Sequence, residues 1–100
     1  MKQSWQILSA PEYDLWYSKQ SQKHRLQILE RMRNIELEGY FGEHKVLDYT
    51  HTVWELKWKN GRRVYYAMAH QYKMLLLLGG NKNGQDRDIQ TAKKIYARYT

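Results

Sequence analysis

The chain of 100 residues is long enough for one domain with a hydrophobic core, and we predict a single domain over residues 1–100. It contains no cysteine, which excludes a disulfide framework and a thiolate zinc site. Nothing in it resembles a signal peptide or an apolar run long enough to span a membrane, so a cytoplasmic protein without a membrane partner is expected.

The net charge of +7 is unevenly distributed along the chain. Residues 1–60 carry nine basic and eight acidic side chains, whereas residues 61–100 carry eight basic and two acidic ones. Such asymmetry favours a polyanionic partner, and nucleic acid is the first candidate. A basic surface that only keeps the protein in solution is the simpler alternative.

The chain begins with patterns for a short strand and a short helix. Residues 4–8 favour the strand. Ser9 is a predicted helix cap, because Pro11 suits the first turn and Glu12 stands where a capping-box acid belongs. The helix should run to about Lys19.

A second, longer helix is predicted from Gln22 to Glu38, with Ser21 as its cap and Gly39 as its end. Charged residues, Arg31 among them, are assigned to the water-facing side. The apolar residues that recur at helical spacing are Leu26, Ile28, Leu29, Met32 and Ile35. The two helices together predict a helical hairpin with one apolar stripe.

Two strands rich in charged and aromatic residues, near 53–59 and 62–70, are predicted to form a β-hairpin around Asn60 and Gly61. Alternate residues of each strand share a face. The apolar face consists of Trp54, Leu56, Trp58, Val64, Tyr66 and Met68. The opposite face contains Glu55, Lys57, Arg63 and Tyr65.

The register of this hairpin follows from its two possible turns. A two-residue turn would set Lys57 opposite Val64 and mix apolar with charged residues on both faces. A three-residue loop over residues 59–61, with Gly61 left-handed, instead sets Lys57 opposite Arg63 and Leu56 opposite Val64. Because a slip of one residue would turn the apolar set to water, we predict the second register.

The remaining elements are a connection, a buried strand and a last helix. A strand is considered near 46–47, and the run from Leu75 to Leu78 predicts a central strand covered on both sides. The last helix carries Asp86 and Asp88 in its first turn. Its predicted apolar face is Ile89, Ala92, Tyr96 and Tyr99.

These elements predict an α+β fold. An N-terminal helical hairpin is expected to pack on a three- to four-stranded antiparallel sheet, covering the apolar face of the β-hairpin. The C-terminal helix is expected to act as a lid or brace.

The polar face of the hairpin suggests chemistry on RNA. Arg63 can hold a phosphate through two hydrogen bonds, and Tyr65 can stack on a base or share a proton. This set could bind single-stranded RNA, or stabilise the phosphorane that forms when a 2′-hydroxyl attacks its own phosphate. His44 and His51 are further acid or base candidates, although exposed loop histidines are the commoner explanation.

No cofactor and no metal are expected. The glycines at 79, 80 and 84 lack the spacing of a nucleotide-binding loop, and no pair of His or acidic residues has the helical spacing of metal ligands.

Several segments resemble one protein family. GGNKNGQDRDIQTAKK at 79–94 is similar to the pattern GG-D-K-x-x-Q-x-x-D-I-x-x-A of the HigB-like addiction-module killer proteins, in the RelE/ParE toxin superfamily. VWELK at 53–57 resembles their V-x-E-L-R, and RRVYY at 62–66 resembles their Y-R-V-Y. The resemblance extends from about Trp16 to Tyr99.

The resemblance implies a small α+β toxin neutralised by a cognate antitoxin, a helix-turn-helix protein. RelE-like members imply metal-free cleavage of mRNA at the ribosome, and ParE-like members imply inhibition of DNA gyrase. The residues carried over from the matching motifs are Arg63, Tyr65, Lys82, Gln85 and Asp88. Lys57 stands where the family usually has arginine.

The resulting hypothesis is a ribosome-dependent endoribonuclease that inhibits translation, with mRNA, the ribosome and the antitoxin as partners. Lys57 and Arg63 would grip the scissile phosphate, Tyr65 would stack or assist proton transfer, and Lys82 would neutralise the leaving group. The predicted RNA-contacting residues are Lys59, Arg62, Arg87, Lys93, Lys94 and Arg98. A gyrase inhibitor without catalysis and a basic RNA-binding module are the alternatives.

Overall fold

A five-stranded mixed sheet forms the centre of the computed structural model, which describes residues 4–47, 53–70 and 73–99. His51 lies outside these ranges. In chain order the elements are β1 (Gln6–Ser9), α1 (Pro11–Ser18), α2 (Gln22–Glu38), β2 (His44–Val46), β3 (Trp54–Lys57), β4 (Arg62–His70), β5 (Lys73–Asn81), a 3-10 turn (Lys82–Gly84) and α3 (Gln85–Ala97). The strand order across the sheet is β1-β5-β4-β3-β2.

The predicted hairpin register is confirmed. Lys57 lies opposite Arg63, and Leu56 lies opposite Val64. The Trp58 amide donates to the Arg62 carbonyl over 3.0 Å, which leaves three residues in the loop. Gly61 has a φ of 95°, a left-handed value that a side chain would disfavour.

The α+β class is confirmed, but an N-terminal helical hairpin on a three- to four-stranded antiparallel sheet is wrong. β1 pairs with β5 in parallel, which makes the sheet mixed, and β2 extends it beyond β3. Helix α1 packs chiefly along β5 rather than forming a hairpin with α2. The short strands predicted at residues 4–8 and considered near 46–47 are present as β1 and β2, but strands of four and three residues carry too short a pattern to fix their places in the sheet.

The ends of α2 match the prediction, whereas the start of α1 does not. The Ser21 side chain accepts a hydrogen bond from the His24 amide, and Gly39 ends α2 in the left-handed conformation. Helix α1 instead has Ala10 at its N-cap, with no side-chain cap. The Ser9 hydroxyl lies 2.7 Å from a carboxylate oxygen of Asp14.

Helices cover both faces of the sheet. Buried residues of α1 and α2 pack on the first face, the α1–α2 face, together with Leu56, Val64, Tyr66, Met74 and Leu76. Helix α3 packs on the second face, the α3 face, where Ala92 and Ile95 contact a layer containing Tyr65, Ala67, Leu75 and Leu77. Strand β5, an interior strand between β1 and β4, is therefore buried on both sides, as predicted.

Some predicted surface assignments change. Leu26 and Leu29 are 58% and 47% exposed, so they lie outside the core, and Tyr99 at the end of α3 is 50% exposed. The prediction that Arg31 faces water is wrong, because its guanidinium donates to the carbonyls of Phe41, Glu43 and Lys57. No helix within the described ranges is long and apolar enough to cross a membrane.

Candidate active site

Polar residues occupy the hairpin end of the α3 face, beneath and beside the first turn of α3. We call them the polar band: Lys45, Glu55, Lys57, Arg63, Tyr65, Gln85 and Asp88. Alternation brings most of them together, because Lys45 pairs with Glu55, Glu55 with Tyr65 and Lys57 with Arg63 across adjacent strands. Helix α3 supplies the other two.

Arg63 and Glu55 form a buried ion pair at the centre of the band. The Arg63 Nε lies 3.3 Å from Glu55 Oε1, and the two side chains are 10% and 0% exposed. Gln85 donates to the same carboxylate oxygen over 2.7 Å, and Arg63 Nη1 donates to the Arg62 carbonyl over 3.1 Å. Glu55 thus fixes the direction of the guanidinium and ties the start of α3 to the sheet.

The hydrogen bonding of this centre is incomplete. Glu55 Oε2 and the Tyr65 hydroxyl are buried without a hydrogen-bond partner, and Arg63 Nε has only its ion-pair contact. Buried polar groups are nearly always satisfied, and exceptions are concentrated at functional sites. Three of the four unpartnered buried side-chain polar atoms in the described residues belong to this centre, and the fourth is the Tyr66 hydroxyl on the α1–α2 face. The centre of the band is therefore the strongest candidate for chemistry in the described part of the chain.

Tyr65 does not have the exposure that the sequence suggested. Its residue is fully buried beneath α3, so no ring face is available for a nucleobase in this state. Burial, followed by the charge of Glu55, raises the pKa of the phenol above its usual value. Tyr65 is consequently a neutral hydrogen-bond donor at physiological pH, and stacking is removed from its predicted roles.

The two glycines that precede the 3-10 turn bring helices close to the sheet on opposite faces. A Cβ atom at Gly79 would lie 2.1 Å from the Trp16 ring on the α1–α2 face, and one at Gly80 would lie 2.1 Å from Asp88 Oδ2 on the α3 face. The Asp88 carboxylate is therefore held against the backbone of β5. Burial there raises its pKa, with the Arg87 charge acting in the opposite direction.

The polar band is open towards β2 and closed by α3. Lys45 and Lys57 have side-chain exposures of 53% and 31%, and their amines lie 3.9 Å from Glu55 Oε2 and 3.4 Å from Glu43 Oε1. A ligand that reached Arg63 in this conformation would approach beside these lysines. Both cations would favour an anion.

Comparison with known proteins supports the motif resemblance. A family model described as phage-derived protein Gp49-like matches residues 15–100. This chain belongs to that family. An uncharacterised protein of Haemophilus influenzae is 32% identical over 93 residues, which cover 90% of this chain and 91% of that protein.

Solved structures show that this Gp49-like protein has the fold of RelE toxins. A mutant of the E. coli toxin RelE in the free state aligns with a TM-score of 0.71 and 13% identity, over 92% of this chain and 98% of that one. The toxin–antitoxin complex RelBE2 from Mycobacterium tuberculosis aligns with a TM-score of 0.64 and 10% identity, over 78% and 98%. These alignments confirm the predicted RelE-like fold.

In the Gp49-like chain, Lys82 and Arg62 lie at the same end of the sheet but outside the buried pair. They line a polar cleft of about 310 Å³ between α1, the hairpin loop and the 3-10 turn. The Arg62 Nε donates to Gln20 over 2.9 Å, and the Lys82 amide donates to the Gly61 carbonyl over 2.9 Å. Lys82 is exposed and flanks the band.

The predicted RNA-contacting residues have different surroundings. Arg98 donates to Glu12 over 2.6 Å, and Arg87 lies 3.7 Å from Asp88 while remaining 83% exposed. Lys59 in the hairpin loop and Lys94 on α3 are exposed, and Lys93 is half-buried. Their roles in RNA binding stay predictions.

Two further points concern acids and bases. His44 is exposed, and its Nδ1 lies 2.7 Å from the Gly42 carbonyl. Among the described residues no group of three His, Asp or Glu side chains could hold a metal ion. The sequence analysis assigned no role to Glu55. The predicted register could have identified it, because Glu55 and Tyr65 form the same-face cross-strand pair next to Lys57 and Arg63.

Proposed function

We propose that this protein is the toxin of a type II toxin–antitoxin module and cleaves mRNA while ribosomes translate it. The observation that carries the proposal is the cross-strand pair of Lys57 and Arg63, anchored by buried Glu55. Two like charges directly opposite on a sheet are destabilising unless an anion lies between them. With Lys45, which also contacts Glu55, three cations share the carboxylates of Glu55 and Glu43, and a phosphate would supply the remaining negative charge.

The chemistry is an in-line transfer within the RNA itself. The 2′-oxygen forms a bond to the adjacent phosphorus, the bond from phosphorus to the 5′-oxygen breaks, and a 2′,3′-cyclic phosphate and a 5′-hydroxyl result. The 2′-hydroxyl gives up a proton and the leaving oxygen receives one. The nucleophile belongs to the substrate, so the protein has to orient the RNA and stabilise charge.

The polar band and Lys82 beside it would stabilise charge and orient the RNA, while the proton of the 2′-hydroxyl passes to water and the leaving oxygen takes one from water. Arg63 and Lys57 would contact the non-bridging oxygens, where negative charge develops. Lys82, on the rim, would neutralise the leaving oxygen or the neighbouring backbone phosphate. Tyr65 would donate a hydrogen bond from the floor of the site, because its phenol is neutral and has no partner.

A cognate antitoxin is part of the proposal. The M. tuberculosis structure is a toxin–antitoxin complex, and residues 61–100 of this chain carry a strong positive excess. We expect a helix-turn-helix protein whose acidic segment covers the basic surface or displaces α3. Complementary charge would mainly accelerate the encounter, so the association rate should fall with salt more than the dissociation rate rises.

The decisive experiment is primer extension on a defined mRNA, with translating ribosomes and the purified full chain. We expect discrete cleavage sites that require translation, and a loss of at least about 100-fold in cleavage for Lys57→Ala, given the usual cost of removing one charge-stabilising group. Lys73→Ala is the matched control, because Lys73 is exposed at the start of β5, away from the hairpin loop.

Three results would contradict the proposal. They are intact transcripts, cleavage by Lys57→Ala at the wild-type rate, and a loss of cleavage in Lys73→Ala as large as that in Lys57→Ala. Intact transcripts together with inhibited supercoiling by gyrase would establish the ParE-like alternative.

A further inference from the structure

A second cleft, separate from the polar band, lies between α2 and the β-hairpin. Its volume is about 530 Å³, within the range of small-molecule sites in proteins. Helix α2 forms one wall and the residues 57–60 form the other, with the loop after α2 at one end. The lining residues that matter here are Glu30, Arg31, Asn34, Tyr40, Trp58 and Lys59. We call it the α2–hairpin cleft.

Arg31 gives this cleft a fixed floor. Its guanidinium donates to three backbone carbonyls, including that of Phe41 over 2.9 Å, and lies 4.4 Å from the centre of the Trp58 ring. Helix α2, the loop after it and β3 are thereby joined by one side chain. A floor held by three hydrogen bonds and a ring contact is pre-organised, which lowers the entropic cost of binding.

The walls present groups that recognise a flat, polar ring. Tyr40 is 68% exposed and offers an aromatic face, and the plane of Arg31 lies beside it in the lining. Glu30 and Asn34, one helical turn apart, are exposed on α2. Among the described residues Glu30 has no ion pair or side-chain hydrogen bond, so its carboxylate is available to accept N–H donors.

The backbone of Lys57 joins this cleft to the candidate active site on the opposite face of the sheet. The carbonyl of Lys57 accepts from Arg31 in the cleft. The Lys57 side chain lies on the α3 face with Arg63, and its amine is 3.4 Å from Glu43, a residue that also lines the cleft. Lys59 adds a second exposed cation at the mouth. An RNA chain bound at Lys57 that passed around the edge of the sheet near Glu43 would place a neighbouring nucleotide beside this cleft.

We infer that the α2–hairpin cleft binds an unstacked nucleobase of the RNA substrate and prefers guanine. The inference rests on the proposed function, since it names a recognition subsite for the same substrate. Single-stranded RNA is read by stacking on aromatic side chains and arginine planes, with hydrogen bonds to base edges. Tyr40 and Arg31 supply the stacking surfaces, and Glu30 and Asn34 supply the hydrogen bonds to the base edge.

Guanine is selected by the direction of its donors. Its N1–H and N2–H groups point the same way and fit the two oxygens of one carboxylate, as Glu30 offers. Cytosine and adenine have an amino donor beside an acceptor on that edge, and uracil has a single N–H. A paired contact of this kind discriminates between bases by roughly tenfold or more.

The test is titration of the full chain with each of the four nucleoside 5′-monophosphates, followed by the indole N–H resonances of the four tryptophans. Trp58→Phe assigns the resonance that reports on the cleft. We expect GMP to shift that resonance with a dissociation constant at least about tenfold below those of AMP, CMP and UMP. Glu30→Gln should abolish this preference.

Glu36→Gln is the matched control, because it removes the same charge from an exposed position of α2 outside the cleft lining. The inference is overturned if the four nucleotides bind equally, if none shifts Trp58, or if Glu36→Gln abolishes the preference as well. Binding of GMP without cleavage of mRNA would refute the proposed function alone. Cleavage of mRNA without nucleotide binding here would refute this inference alone.

Discussion

The α1–α2 face and the α3 face of the sheet are made by alternate residues of the same strands, and they differ in what they bury. The first face is a largely apolar core in which Val64 and Tyr66 contact the helices. The Tyr66 hydroxyl is buried there without a hydrogen-bond partner. The second face is apolar only at the end distant from the hairpin loop. At the hairpin end it buries Glu55 completely and Arg63 almost completely.

Burying an ion pair is not an efficient way to stabilise a fold. The desolvation of both charges often exceeds their attraction, and apolar residues of similar size would serve at least as well. The Glu55–Arg63 pair and the unpartnered phenol of Tyr65 therefore cost stability that the α1–α2 face supplies. That division is what we expect when one face of a sheet maintains the fold and the other maintains a site.

The largest effect should follow from breaking the α1–α2 face at Gly79. In Gly79→Ala the new Cβ would lie 2.1 Å from the Trp16 ring, which cannot move without shifting α1 on β5. We expect the free energy of unfolding in urea to fall by about 3 kcal/mol, at the upper end of overpacking costs.

Gly80→Ala provides the contrast on the other face. There the new Cβ would meet Asp88 Oδ2, the far end of a side chain that can rotate away. Its cost should be about 1 kcal/mol, and equal losses for the two variants would show that the faces do not differ in rigidity.

The next effect concerns the ion pair itself. Glu55→Gln keeps the volume and lets Gln85 keep a partner, but leaves Arg63 buried without a countercharge. We expect a loss of about 2 kcal/mol in the free energy of unfolding. Replacing Arg63 by glutamine in the same chain should restore part of that loss, because no uncompensated charge then remains.

Glu43→Gln serves as the control for the ion pair. Its carboxylate is 65% exposed and 3.4 Å from Lys57, so losing this charge should cost less than about 1 kcal/mol. If Glu55→Gln costs no more stability than Glu43→Gln, the buried pair contributes no more to folding than the exposed pair, which would contradict our interpretation.

The elements that could be predicted from sequence are those fixed by local rules. Alternation along β3 and β4, together with the need for a left-handed residue in the loop, determined that Lys57 lies opposite Arg63. A serine cap and a terminal glycine similarly determined the ends of α2. In each case the information lies within a few residues of the element.

The predictions fail where long-range packing determines whether a side chain is buried. A polar strand face looks open to solvent in the sequence, and only the position of α3 shows that Arg63 and Tyr65 are buried. Arg31 lies at the margin of the apolar stripe of α2, and the carbonyls of Phe41 and Glu43 decide that it turns inward. The α2–hairpin cleft depends on that turn, so periodicity could not reveal it.

The smallest effect should come from the contact between Arg98 of α3 and Glu12 of α1, which links helices on the two faces. The hydrogen bond from Arg98 is the main cause that lowers the pKa of the Glu12 carboxyl below its usual 4.5. A carboxyl whose pKa is lower in the folded than in the unfolded state stabilises the fold above its unfolded pKa. That contribution is lost as the pH falls through the folded pKa, so wild type and Glu12→Gln should have melting temperatures that differ slightly at pH 7 and converge in acid.

High salt should reduce the difference at pH 7, because the pair is largely exposed. A difference that persists after the carboxyl is protonated would show that packing of the Glu12 side chain, and not its charge, joins the two faces. In that case Arg98 would keep its charge available, and its predicted contact with RNA would become the better explanation for its position.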